Sequence, residues 1–242
     1  MSISQHLGEN ILKYEAVIFD LFGTLIDKVS LRQHTNVLRQ MAYVLSAPPD
    51  DFVRLWFDTF DERGLGIFQS LVANIEYICQ KLELHPERNR VMLAAQINLQ
   101  YTTRAMKPRP YATDLLSSLK SEGYKTGLVT NCSAEVPAIW EDTPFAPLID
   151  VTVFSCKVGV QKPAPLIYQL TAEQLAVKPE ACLYIGDGDS HELTGAAQVG
   201  MHPVLIRDPD EDRTDVHRVD WEAEDWHGPV ITSLKDVLNL VR

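Results

Sequence analysis

Apolar residues follow two different rhythms along the chain. Residues 16–19, AVIF, form an unbroken apolar run between Glu15 and Asp20. A short run of that kind predicts a strand buried on both faces. Similar runs recur at 125–130 (KTGLVT), 150–155 (DVTVFS), 181–186 (ACLYIG) and 202–207 (HPVLIR). The intervening segments carry helical spacing. Residues 111–123 stop at Gly123, 162–177 begin with prolines suited to a first helical turn, 190–200 stop at Gly200, and 233–242 open on Ser233 as N-cap. Strands alternating with helices predict an α/β fold, a parallel sheet with helices on both faces.

Residues 30–106 break this rhythm. Four segments in succession, 31–46, 49–64, 68–84 and 86–106, have helical periodicity. The breaks fall at Pro48-Pro49, Gly64 to Gly66 and His85-Pro86. The expected organisation is an α/β catalytic core from residues 1–28 and 107–242, with an all-helical cap at 29–106 inserted after the first strand. Residues 208–228 are acidic and nearly free of aliphatics, which predicts a long surface loop.

In open parallel sheets, ligands sit beyond the carboxyl ends of the strands. The polar residues there are Asp20 in FDLFGTL, Thr130-Asn131 in LVTNCS, Lys162 just before a helix, and Asp187 in GDGDSHE, with Glu192 close behind. They offer a nucleophilic carboxylate, hydroxyl and amide donors, a cation and acidic metal ligands. That inventory suits attack on an electrophile bearing negative oxygens, assisted by a hard divalent cation. Each residue alone also fits a cap, turn or surface role. The set in order is what points to catalysis.

The set resembles the haloacid dehalogenase-like hydrolase superfamily, over nearly the whole chain. The resemblance implies a Rossmann-like core and a helical cap. It further implies that Asp20 is the nucleophile, and that Thr130, with Asn131 beside it, and Lys162 bind the transferring phosphoryl group. Lys162 would also neutralise the nucleophile. Mg²⁺ would be held by Asp20, Asp187 and the backbone carbonyl of Phe22, with Glu192 behind them or acting through water. The implied function is Mg²⁺-dependent hydrolysis of a small phosphorylated metabolite through an aspartyl-phosphate.

One position departs from the pattern. Phosphatases of the superfamily usually carry a general acid–base aspartate where this chain has Phe22. General acid–base help is worth ~10²–10⁴-fold. Three readings stay open. One is a phosphatase that favours good leaving groups or borrows an acid from the cap. Another is a 2-haloacid dehalogenase, since halide leaves without a proton, a branch that Tyr168 also fits. The third is a non-catalytic binding protein on the scaffold. A phosphonate-cleaving enzyme would need a suitably placed cap lysine, and neither Lys28 nor Lys81 lies in a recognisable motif.

The net charge of −11 disfavours nucleic acid and anionic membranes as partners, though not a small anionic substrate at a locally positive site. Four dispersed cysteines without a CxxC predict free thiols in a reducing cytoplasm. The first fifteen residues lack the pattern of a signal peptide, and no apolar run reaches the ~20 residues of a membrane span. Trp56, Phe57 and Phe60 are expected in the cap interior, and Arg54 and Arg63 on its solvated face. Cys132 is expected to pack.

Overall fold

The computed structural model describes residues 13–207, 215 and 222–242. Its sheet is built from β1 (Ala16–Phe19), β2 (Lys125–Thr130), β3 (Val151–Phe154), β4 (Cys182–Gly186), β5 (His202–Ile206) and β6 (Val230–Ile231). The spatial order is β3-β2-β1-β4-β5-β6, and every pairing is parallel. Strand β1 lies between β2 and β4, with Ile18 opposite Gly127 on one side and Tyr184 on the other. The chain builds outward from β1 to β3, then returns to β4 on the far side. The crevice at the carboxyl ends of β1 and β4 is therefore a topological switch point, where such folds bind ligands.

Alternation along β1 explains its unbroken apolar run. Val17 and Phe19 enter one core with Leu183, Ile185 and Leu116. Ala16 and Ile18 enter the opposite core with Tyr184, Tyr168 and Leu193. The helices α6 (Ala112–Ser121) and α11 (Val237–Val241) cover the first face. The second is covered by α9 (Pro165–Gln174) and α10 (Glu192–Gln198). The sheet and its two helical layers match the expected class. Strand β6, two residues long, escaped the sequence pattern because so short a run carries no period.

Residues 31–105 hold α1 (Leu31–Leu45), α2 (Pro49–Asp58), α3 (Phe60–Gly64), α4 (Leu71–Lys81) and α5 (Arg88–Ala105). They share a third apolar core in which Leu38, Met41, Phe52, Trp56, Ile75, Ile78 and Ala94 are buried. The single helix expected over 49–64 is broken at Thr59. Its hydroxyl bonds back to the carbonyls of Leu55 and Trp56, a competition that bends helices. Two further short helices, α7 (Glu135–Ile139) and α8 (Ser155–Val158), follow β2 and β3. The connections on either side of residues 31–105 run side by side. Ile26 forms an antiparallel bridge with Pro108, and Arg109 N–H donates to the Leu25 carbonyl at 2.9 Å.

Most of the acidic stretch 208–228 expected as a surface loop lies outside the described residues. Asp215 docks on the start of α1, accepting from Arg32 N–H at 2.8 Å and from the Ser30 hydroxyl at 2.5 Å. A carboxylate there complements the helix N-terminus. Among the described residues, no helix is long and apolar enough to cross a membrane.

Phe52 is fully buried and stacked on Trp56, with ring centroids 6.2 Å apart. Phe52→Ala is expected to destabilise the protein by about 3–5 kcal/mol through lost transfer energy and the cavity left behind. Urea unfolding of the two proteins measures the difference.

Candidate active site

The loop after β1 is wound tightly. Thr24, Leu25 and Ile26 N–H groups all donate to the Leu21 carbonyl, and Gly23 N–H donates to the Ile26 carbonyl at 2.8 Å. Gly23 takes φ +85°, open to glycine but strained for other residues. A Cβ at that position would lie 2.3 Å from Asp187 Oδ2 and 2.6 Å from Lys28 Cε. The glycine thus lets the first loop pass directly over the fourth.

Asp20 is buried just past β1. Its Oδ1 accepts from Lys162 Nζ at 2.5 Å, while its Oδ2 is buried without a hydrogen-bond partner. Lys162 Nζ also donates to Glu192 Oε2 at 2.6 Å. The remaining capacity of Glu192 is committed, to the Tyr184 hydroxyl at 2.8 Å and to Gly188 N–H at 3.0 Å. Tyr168 donates to the Glu192 backbone carbonyl at 2.9 Å. Asn131 braces the lysine: its Oδ1 accepts from Lys162 N–H at 2.8 Å, and its amide donates to the Lys162 carbonyl at 3.2 Å. The Thr130 hydroxyl is buried and has no hydrogen-bond partner.

Burial pushes the Asp20 carboxyl up, against the pull of Lys162, and Asp187 pushes it further. Burial also raises Glu192 well above the usual carboxylate range. For Lys162, burial works against the charged form, but Asp20 and Glu192 outweigh it and hold the ammonium well above its ordinary value. Asp189 is pushed up to about 6, first by burial and then by Asp187.

Carboxylate oxygens of Asp20, Asp187 and Glu192 come within 4.8 Å of one another, a spacing open to a metal ion. The donor set fits a hard divalent cation: all oxygen, buried, and with four carboxyl groups, counting Asp189, facing two lysines. The buried, unpartnered Asp20 Oδ2 is the atom most in need of such a partner.

The second lysine is Lys28, whose Nζ lies 2.7 Å from Asp187 Oδ2. Its place could not be read from the sequence, because it belongs to no motif and reaches the site only through the fold of the first loop. Above these residues lies a cavity of about 160 Å³. Its walls include Asp20, Phe22, Lys162 and Asp187 from the strand ends, and His34, Trp56, Phe57, Phe60 and Arg63 from the helices at 31–105. Trp56 belongs to the helical core as expected, and Phe57 and Phe60 also face the cavity. Arg54 is exposed and paired with Asp51 and Asp58. Arg63 differs from its expected solvated position: it is 4% exposed, with its guanidinium 4.5 Å from the Trp56 ring. Burial lowers it to about 10, with Glu135 and Glu62 opposing. Cys132 is buried against the cavity, 4.0 Å from Cys156 sulfur to sulfur.

Gly23→Ala forces the first and fourth loops apart at the carboxylate cluster. Turnover is expected to fall by about 10²-fold, the cost of displacing reacting groups by about an ångström. Steady-state kinetics and circular dichroism together check this, since the fold should persist.

A family model for haloacid dehalogenase-like hydrolases matches residues 14–200. A glyceraldehyde 3-phosphate phosphatase of Pyrococcus furiosus is 27% identical over 240 residues, covering 95% of this chain and 93% of its own. Two solved structures, both at low identity, share the fold. One is the L-2-haloacid dehalogenase of Xanthobacter autotrophicus with chloropropionic acid covalently bound, with a TM-score of 0.62 at 20% identity over 95% of this chain and 98% of its own. The other is a family enzyme of Bacteroides thetaiotaomicron in complex with magnesium and inorganic phosphate, with a TM-score of 0.62 at 16% identity over 83% and 98%. A strand-end aspartate clamped by a buried lysine, beneath helices inserted after the first strand, is thus accompanied by a sequence match over most of the chain: the protein is a hydrolase of the haloacid dehalogenase-like family.

Proposed function

We propose that the protein is a Mg²⁺-dependent phosphatase of a small phosphorylated metabolite, with Asp20 as the nucleophile. The observation that carries this is the state of Asp20. One oxygen is fixed by Lys162, and the other is buried without a partner beside two further acids. A buried carboxylate left half-paired is costly unless a cation or a reacting group completes it.

Roles follow from the contacts. Lys162 holds Asp20 in place and supplies positive charge for phosphoryl oxygens. The Thr130 hydroxyl, buried and unpartnered, is free to donate to the same group. Asn131 has both ends of its amide engaged with the Lys162 backbone, so its role is to position the lysine rather than to grip substrate. Asp20, Asp187 and the Phe22 carbonyl would hold the ion. Glu192 acts behind them by fixing Lys162. The bound cation would neutralise the phosphoryl oxygens during in-line attack. Residues 29–106 serve as the cap over a core of 1–28 and 107–242, shielding the acyl-phosphate from stray water. The name of the Pyrococcus relative and the magnesium–phosphate complex of the Bacteroides enzyme support this reading.

Phe22 brings the dehalogenase reading back as an alternative. It lines the cavity beside Asp20 and has no proton to offer. Against that stands Asp187, which with Asp189 gives the site more negative charge than a halide-releasing reaction needs.

Hydrolysis of an aryl phosphate is expected to disappear in chelator and return with Mg²⁺. Asp20→Asn should lower turnover at least about 10³-fold. Chloride released from 2-chloropropionate in the presence of chelator would move the assignment to the dehalogenase.

With no acid at Phe22, dephosphorylation should limit turnover. Rapid quench with an aryl phosphate is expected to give a product burst before a slow steady state. Phe22→Asp should raise turnover of alkyl phosphates by up to ~10²-fold. Fast alkyl turnover by the wild type without a burst would show that another group supplies the proton.

A further inference from the structure

The cavity has a second charged pole besides the carboxylate–lysine cluster. Arg63 sits on α3, nine-tenths or more buried, and its guanidinium is only partly engaged. Nε donates to the Ser133 hydroxyl at 3.3 Å, and Nη1 bonds to the Trp56 carbonyl and to Thr59 Oγ1. Among the described residues, Nη2 has no hydrogen-bond partner and no carboxylate forms an ion pair with the guanidinium. Glu135 also lines the cavity. Its Oε2 is buried without a hydrogen-bond partner, and burial pushes its carboxyl up against the pull of Arg63.

The walls around this pole are apolar: Trp56, Phe57 and Phe60, with Val136 from α7. A guanidinium set in such a wall is weakly hydrated and suits an anion that brings its own charge into the cavity. The space is small. A void of about 160 Å³ is well below the ~300–1,000 Å³ of pockets for drug-sized ligands. A planar three-atom carboxylate takes up less of so small a space than a second tetrahedral phosphate.

We propose that Arg63 selects the substrate, binding through Nη2 a carboxylate carried on the leaving-group side, so that the preferred substrates are phosphate monoesters of small hydroxy acids. This rests on the phosphatase reading of the same site. Arg63 acts on the leaving group and takes no part in attack at phosphorus. The trapped anion completes the coordination of a buried cation that the protein alone leaves short.

Matched esters test it. We would measure kcat/KM for 2-phosphoglycolate against ethyl phosphate, and for 3-phosphoglycerate against glyceraldehyde 3-phosphate, with Mg²⁺ present. The acid of each pair is expected to be favoured by about 10–100-fold, the worth of one charge-assisted hydrogen bond. Arg63→Met should erase that preference, mainly through KM of the acids, and Arg63→Lys should restore part of it. Thermal melting of both variants checks that they fold. Equal kcat/KM within both pairs for the wild type overturns the proposal. So does preference for a sugar bisphosphate over the acids, or an equal loss on acids and neutral esters in Arg63→Met, which would mark the arginine as a brace between α3 and the loop after β2. Absence of hydrolysis of every ester, aryl phosphate included, would instead overturn the phosphatase reading on which the proposal rests.

Discussion

The site depends on one buried ammonium shared by two carboxylates. Lys162 lies 2.5 Å from Asp20 and 2.6 Å from Glu192, all three nearly out of reach of water. Charges this deep are stable only as a set. The surrounding structure keeps the set together: Asn131 grips the lysine backbone from the second strand end, Tyr184 and Gly188 fix Glu192 from the fourth, and Tyr168 holds the backbone of α10. Separate segments of sequence, around Asp20, Asn131 and Glu192, converge on this one lysine. The order of strands in the sheet makes that possible, since β1 lies between β2 and β4.

How much of this was legible in the sequence follows from where each side chain begins. Asp20, Thr130, Lys162 and Asp187 stand at the ends of strands or the start of a helix, where a short apolar run meets a polar residue. Such places can be read directly. Lys28 and Arg63 cannot. Both have long side chains that leave their backbone position and end elsewhere, and an arginine in an amphipathic helix reads as a solvated one until the neighbouring helices are placed. The helix break at Thr59, which allows Arg63 to turn inward over Trp56, carried no Gly or Pro to announce it. The same limit applies to Asn131. Its neighbourhood was legible, but its hydrogen bonds to the Lys162 backbone depend on a contact between residues 31 positions apart. Glu192 was expected behind a metal or acting through water; its place in the acid cluster agrees with that, but the grip of its Oε2 on Lys162 could not be read from the sequence.

Phe22 gives the site an unusual balance. The strand-end cluster is dense in charge, yet the wall facing it is aromatic, from Phe22 on the core side to Trp56, Phe57 and Phe60 opposite. Low polarity there strengthens every interaction with a charged ligand, while leaving unanswered any proton that the ligand needs. Selectivity then falls to the few polar atoms set in the apolar wall.

The bridge between Ile26 and Pro108 has an implication for how such chains change over evolutionary time. The strand that ends at Asp20 leads out to residues 31–105, and the chain comes back beside its own point of departure. An excursion whose two ends already touch can be lengthened, shortened or exchanged at small entropic cost, because loop closure depends only weakly on length. The tight turn at Leu21–Ile26 completes its own hydrogen bonds before the excursion begins. The Asp20 carboxylate is thus insulated from changes in the segment above it, so an insert of another length or sequence would leave the loop beneath in place.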